Sequence, residues 1–392
     1  MKHFLLSSIV ALLFLGLIEF MLRVIHPEKV RNINYHGEVA YEFDEDYLMR
    51  LKKSVVKHYY RVPRNGGKKV TWTTNSQGFR GEELKREAKL RIVVYGDSNI
   101  QARFSEDEDT YVQKLQHFLS DSIPGVEVIN AGVIGFGPDQ ALLKLKKEIP
   151  LLQPDIAIFN IFCDNDYGDL IRNRLFEIGK DDRFAPTKLE REPDNYLQYH
   201  KAQKKRFQLL IATEGRTFIN RLFGEKEDPR RKENMIAALQ DLCTEEFEIY
   251  RQSKPNAISH FRDHYDFDLA VNPESTSAQT KVRLMEGLLK EIKQTGMNQN
   301  VKIIIQIQPS VIDLTKNHII SHEDLASNPS YSRKQLTDIV RRICIENGME
   351  YLDLFEVFQS QEASSCYFLH DDHWNDKGQE VAARKMAGLI IE

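Results

Sequence analysis

Cysteine is scarce in this chain: four in 392 residues, with no Cys-x-x-Cys pair. That excludes a disulfide-built scaffold, a zinc ribbon and a thioredoxin-type redox motif. Charge of one sign is not in excess either. Lys and Arg number 54 and Asp and Glu 58, for a formal net charge of −4. A chain that binds nucleic acid over its whole length is therefore disfavoured. Long apolar runs are missing apart from one at the N-terminus, which excludes a polytopic membrane protein. No low-complexity segment and no fixed-period repeat is visible. What is present is 41% hydrophobic and 10% aromatic residues, enough for a large core and too much for general disorder. The length fits about two to three units of ordinary domain size, or one domain with a large insertion.

The single apolar run, Phe4 to Ile18, opens the chain. Lys2 gives it a basic start, but no small-x-small cleavage site follows; Glu19, Phe20, Met21 and Leu22 stand there instead. Residues 1–25 read as an uncleaved signal anchor, long enough to cross a bilayer. Glu19 and Arg23 are spaced to pair on one helix face. The alternative is an amphipathic helix lying on the membrane. The anchor reading places the rest of the chain outside the cytoplasm.

Residues 26–89 form a polar lead-in with short β-like runs, among them YHGEVAYEF and KKVTWTTN. From residue 90 the texture changes. Apolar runs at 90–95, 126–130, 156–162, 301–308 and 349–354 predict five buried strands. Helical spacing between them appears at Thr110–Ser120, from Pro138 onward, at Thr280–Thr295 before Gly296, at Ser332–Asn347 and at Asp376–Ile391. Strands alternating with single helices predict an α/β fold with a mostly parallel five-stranded sheet and helices on both faces. Residues 170–275 break the alternation, being charged, largely helical and poor in strand signals. They are expected to be a helical cap inserted into a domain spanning 90–391.

In open α/β sheets, ligands bind beyond the carboxyl ends of the strands. Four segments fall there: Gly96-Asp97-Ser98-Asn99, Asn130-Ala131-Gly132-Val133-Ile134-Gly135, Cys163-Asp164-Asn165-Asp166 and His370-Asp371-Asp372-His373-Trp374-Asn375. They supply a serine, glycines, an asparagine and a histidine with carboxylates, which is the inventory for nucleophilic acyl transfer. A serine hydroxyl needs a base within hydrogen-bond reach. A histidine held by a carboxylate is the usual base, and backbone N–H groups with an Asn amide can stabilise the oxyanion. Simpler readings exist for each. Ser98 or Asn165 could cap a helix, Gly132 and Gly135 could close a turn, and the His370–His373 cluster could hold a metal. Cys163 reads as a small buried side chain, and the basic run at 201–206 as a solvated helix face.

The four ordered blocks resemble the SGNH hydrolase family, also called GDSL esterases: GDS at 96–98, a Gly of GVIGFG, the Asn of CDND, and an Asp–His pair near the C-terminus. The resemblance covers about 90–170 and 300–391. It implies a three-layer, flavodoxin-like sandwich, no cofactor and no resident metal. It also implies Ser98 as nucleophile, His373 as general base, Asp371 as its orienting partner, and an oxyanion hole of the Ser98 N–H, the Gly135 N–H and the Asn165 amide. Asp97 matches the family's structural Asp, and Asp372 is a rival orienter. Two departures stand out: Cys163 where the family has Gly, and His370 where it has the Asp three before the His. The form Asp-x-His-Trp-Asn at 371–375 is similar to SGNH-like proteins of exopolysaccharide O-acetylation. Thr73-Thr74-Asn75-Ser76-Gln77-Gly78-Phe79-Arg80-Gly81 resembles a lead-in of membrane-anchored bacterial SGNH proteins, with Phe79 expected to pack on the sheet and Gly78 to turn the chain.

The resulting expectation is a serine esterase or deacylase acting on an ester or acylated carbohydrate. The first alternative is an O-acyltransferase in envelope polysaccharide modification, using the same residues. The second is a non-catalytic carbohydrate-binding or assembly component on the same scaffold, motivated by Cys163 and by the cap. No nucleic-acid partner is expected.

Overall fold

The computed structural model describes residues 2–25, 40–61, 66–179, 181–192, 229–255, 265–316, 318, 320–369 and 371–392. In chain order, helix α1 (Lys2–Ile25) is followed by two antiparallel hairpins. These are β1 (Tyr41–Asp44) with β2 (Leu48–Leu51), and β3 (Val56–Tyr60) with β4 (Lys69–Thr73). Next come β5 (Leu90–Tyr95), α2 (Ser98–Gln101), α3 (Tyr111–Ser120), β6 (Val126–Asn130), α4 (Pro138–Leu152), β7 (Ile156–Cys163) and α5 (Asp166–Asn173). A short hairpin of β8 (Phe176–Ile178) and β9 (Phe184–Pro186) precedes α6 (Pro229–Gln252) and α7 (Phe267–Val271). The chain continues with α8 (Thr276–Gln299), β10 (Lys302–Pro309), α9 (Val311–Leu314), α10 (His322–Leu325) and α11 (Gln335–Glu346). It closes with β11 (Glu350–Asp353), α12 (Phe355–Ser360) and α13 (Asp376–Ile391).

The five predicted strands form one sheet in the order β11-β10-β7-β5-β6. Every pairing in it is parallel, so the expected "mostly parallel" sheet is wholly so. Numbered along the chain and counted from the β6 edge, the order is 2-1-3-4-5, the flavodoxin-like arrangement. Its topological switch point lies between β5 and β7. Each residue of β6 and β7 is buried, as a parallel sheet covered on both faces requires.

Alternate residues of each strand feed two cores, because successive side chains point to opposite faces. Val93, Tyr95, Ala157, Phe159, Ile161, Ile305 and Ile307 join one cluster with Leu142 and Leu145 of α4, Leu288 and Ile292 of α8, and Val340 and Ile343 of α11. Ile92, Val94, Ile156, Ile158 and Ile304 join the other with Leu115 and Leu119 of α3, Phe358 of α12, and Ala382 and Met386 of α13. The result is three layers. A buried polar ladder crosses the sheet centre: Tyr111 Oη donates to Gln306 at 2.9 Å, Gln306 to Asn160 at 2.9 Å, and Asn160 to Gln308 at 2.8 Å.

The expectations need adjusting in three places. Helix α8 runs through Gly296 to Gln299. Gly296 does not stop it; a Cβ there would meet Ile303 Cγ1 at 2.4 Å, so the glycine serves the close approach of the following strand. Asn300, left-handed at φ 55°, ends the helix instead. The stretch read as strand-poor contains the β8–β9 hairpin, and Phe184 stacks on Phe176 at 4.8 Å between ring centroids. The lead-in holds two regular hairpins. The basic run at 201–206 and His370 lie outside the described residues.

Among the described residues, Leu6–Ile25 is long and apolar enough to cross a membrane, by length and composition, with mean hydropathy 2.3. Arg23 Nε donates to Glu19 at 2.7 Å on one face of α1, as their spacing predicts.

Candidate active site

The turn after β5 exposes one side chain and buries its neighbours. Gly96 leaves β5 where a Cβ would meet Ile100 Cγ1 at 2.6 Å, so α2 packs directly on the backbone. Asp97 is the N-cap of α2, its carboxylate accepting the Asn99 N–H at 2.9 Å. Ser98 is thus the first helical residue and not the cap, which removes the simpler reading of that block. Asp97, Asn99, Ile100 and Gln101 are buried, whereas Ser98 is half-exposed. Its hydroxyl donates to Asp97 Oδ2 at 3.4 Å. As the first residue of the helix, Ser98 offers a backbone N–H with no intrahelical acceptor.

The glycine loop is pressed against this turn. A Cβ on Gly132 would lie 2.5 Å from the Gln101 nitrogen, so only glycine fits. Gly135 adopts φ 70°, and its carbonyl accepts from Arg172 Nη2 at 2.6 Å. Arg172 also bonds Asp169 and Asn173. The same helix α5 therefore holds the Gly135 loop near its C-terminal end and has Asn165 as its N-cap.

Asn165 occupies the N-cap position of α5, but its side chain makes no capping hydrogen bond and its Oδ1 is buried without a partner. Its neighbours are engaged elsewhere. Asp164 accepts from Ser310 Oγ, and Asp166 accepts the Phe162 N–H at 2.7 Å. Cys163 closes β7 with no exposed surface and belongs to the core. Its thiol, pushed well up by burial and by nearby carboxylates, is inert packing. The residue that departs from the resembled family's Gly is thus a fully buried residue at the strand's end.

The histidine lies on the loop leading to α13. Asp371 Oδ1 accepts from His373 Nδ1 at 2.5 Å and from the His373 N–H at 3.0 Å. Asp372 Oδ1 lies 3.0 Å from the same Nδ1. Asp371 is the closer partner, and its rival also engages the ring. Burial alone would push the imidazole down, but the Asp372 charge and the bonds to both carboxylates outweigh it, raising His373 to about 10. Burial likewise opposes ionised Asp372, and the His373 charge overrides it, holding this carboxyl well below the ordinary range. His373 Nε2 is buried without a hydrogen-bond partner. No hydrogen bond joins Ser98 to His373 here; such bonds often tighten only in a substrate complex.

Residues that the sequence reading left without a role tie the two loops together. Asn99 Oδ1 accepts the Trp374 N–H at 3.0 Å, and the Asn99 carbonyl accepts from Gln379 Nε2 at 2.9 Å. Trp374 is buried and stacks on Phe358. Gly378 is needed because a Cβ there would meet the Cys366 carbonyl at 2.2 Å. Electrostatics report the same proximity. Burial raises Asp97 to about 6 against the pull of its Asn99 bond and of the His373 charge. The lead-in adds two arginine clamps. Arg80 donates to the Gln101 and Ser105 carbonyls and to Asp107. Arg61 donates to the Phe104 carbonyl and to Asp376 at 2.6 Å each. Phe104 in turn stands edge-on to His373, 5.2 Å between ring centroids. Phe79 is buried, and Gly78 turns the chain at φ 93°.

Asp371, Asp372 and His373 also place three donor atoms within 4.8 Å of one another, a group able to hold a metal ion. Within that group His373 Nδ1 meets both carboxylates.

The flavodoxin-like sheet carries all four of these loops at its carboxyl end. Residues 265–392 match the family model of the SGNH hydrolase-like domain of acetyltransferase AlgX. This matched third includes Asp371 and His373 and excludes Ser98. No curated protein matches the chain. Solved structures similar to it include the acetyl xylan esterase AlAXEase, at 15% identity over 77% of this chain and 100% of that one, with TM-score 0.36. A lipase/acylhydrolase from Enterococcus faecalis aligns at 11% identity over 77% and 95%, with TM-score 0.39. A catalytic mutant of the acetylxylan esterase Axe2 from Geobacillus stearothermophilus aligns at 13% identity over 78% and 96%, with TM-score 0.37.

Proposed function

We propose that this chain is a membrane-anchored serine esterase of the SGNH type, acting on an O-acyl ester through an acyl-enzyme. One observation carries the reading. The His373 ring is held at Nδ1 by Asp371, leaving Nε2 unengaged, on a loop whose next residue is bonded to the residue after Ser98. In this reading Ser98 Oγ attacks the ester carbonyl and His373 Nε2 takes its proton. The Ser98 N–H, the Gly135 N–H and the Asn165 amide stabilise the oxyanion. His373 then protonates the departing alkoxide, and water activated by the same nitrogen clears the acyl group. Helix α1 anchors the chain, with the sheet domain outside the cytoplasm.

A second reading shares every residue: the acyl group passes to a sugar hydroxyl in place of water. The match to an acetyltransferase model favours it. The test is 4-nitrophenyl acetate turnover by the full chain in detergent, with and without an oligosaccharide acceptor. Nitrophenolate release that disappears in Ser98→Ala is the expected result. Acetylated oligosaccharide among the products assigns the transferase. Equal turnover by Ser98→Ala and the parent chain would refute both readings.

A further inference from the structure

A helix N-terminus leaves backbone donors without intrahelical acceptors, and an Asn at the N-cap ordinarily serves them with its side chain. Helix α5 is different. Its N-cap residue, Asn165, does not cap. The acceptor comes instead from Asp266, 98 residues further along the chain, whose Oδ2 receives the Gly168 N–H at 3.1 Å. The same residue grips the other side of Asn165, its own N–H donating to the Asp164 carbonyl at 2.7 Å. Asp266 Oδ1 is fixed by the ammonium of Lys281 at 2.7 Å, and Lys281 is fixed in turn by Asp268 at 2.8 Å, all three side chains being buried. Gly168 fits the device: a Cβ there would lie 3.0 Å from Asp266 Oδ1.

We propose that Asp266 is a positioning residue that caps α5 in place of Asn165, so that the Asn165 amide stays committed to the oxyanion. The proposal rests on Asn165 acting as an oxyanion donor. It also assigns a task to the segment ahead of α7, which carries no motif of its own. Without the Asp266 carboxylate, the uncapped Gly168 N–H recruits the N-cap side chain, Asn165 Oδ1, which is buried and unpartnered, and the amide turns from the substrate.

The test is a double-mutant cycle on the full chain, read as kcat and KM for 4-nitrophenyl acetate. Asn165→Ala lowers kcat by roughly 100- to 1,000-fold, the usual effect of losing one oxyanion donor. Asp266→Ala lowers kcat by roughly 10- to 100-fold, the scale of a displaced catalytic group, with KM nearly unchanged. The double variant is no slower than Asn165→Ala, because Asp266 acts through Asn165. Multiplied effects in the double variant, or a silent Asp266→Ala, overturn the proposal and leave the Asn165 reading intact. A silent Asn165→Ala overturns that reading and the proposal with it. Should Asp266→Ala fail to fold, Gly168→Ala decides. It strengthens α5 by propensity but crowds the carboxylate, so thermal stability holds or rises while kcat falls. Unchanged kcat in Gly168→Ala contradicts the proposal.

Discussion

The two sides of the site are built on different principles. On the serine side, position is enforced by burial. Asp97, Asn99 and Gln101 are buried around the half-exposed Ser98 and hydrogen-bonded. Gly96 and Gly132 allow backbone approaches that no other residue could make. On the histidine side the side chains are part-exposed, and position comes from charge: two carboxylates converge on one ring nitrogen. In the proposed mechanism, preorganised dipoles suit the side that would meet a developing oxyanion. In the same mechanism, a titratable contact suits the side that would take and return a proton.

This contrast can be broken at its strongest point first. His373→Ala removes the base while leaving the serine turn packed. Turnover should fall on the order of 10^4- to 10^6-fold with the thermal midpoint little changed, as for a triad base. Parent-like turnover would dissociate His373 from the chemistry. A smaller effect sharpens the same contrast. His373 must be neutral to accept a proton, and its folded pKa is raised from 6.5 to about 10. Activity should therefore rise with pH, with its inflection above the ordinary imidazole value. The expectation from unperturbed histidine, an inflection near ~6.5, is moved upward by the second carboxylate. Asp372→Asn removes that charge, so the acid limb of the kcat/KM profile should shift to lower pH by about one unit or more. A profile that stays in place would show that Asp371 alone governs the ring.

Legibility followed the same divide between local and distant causes. The five strands were readable because a sheet buried on both faces writes each strand as a short apolar run. The candidate nucleophile turn and the Asp–His pair were readable because their residues adjoin in sequence. The braces were not. Asp266 meets Gly168 across 98 residues, and Arg61 meets Asp376 across 315. An aspartate or arginine in a polar stretch looks like solvated charge until the fold buries it. The β8–β9 hairpin escaped for another reason: three-residue strands carry too little alternation to register. Gly296 misled because a glycine needed for close packing looks, in sequence, like one that ends a helix.

The central claim is that Ser98 is the nucleophile, and a fluorophosphonate tests it most directly. The full chain in detergent is treated with the probe, digested, and the labelled peptide located by mass spectrometry. The account predicts a single phosphonylated residue, Ser98, with labelling lost in Ser98→Ala and strongly slowed in His373→Ala. Labelling of another residue, or none in a parent chain that still cleaves ester, would contradict it.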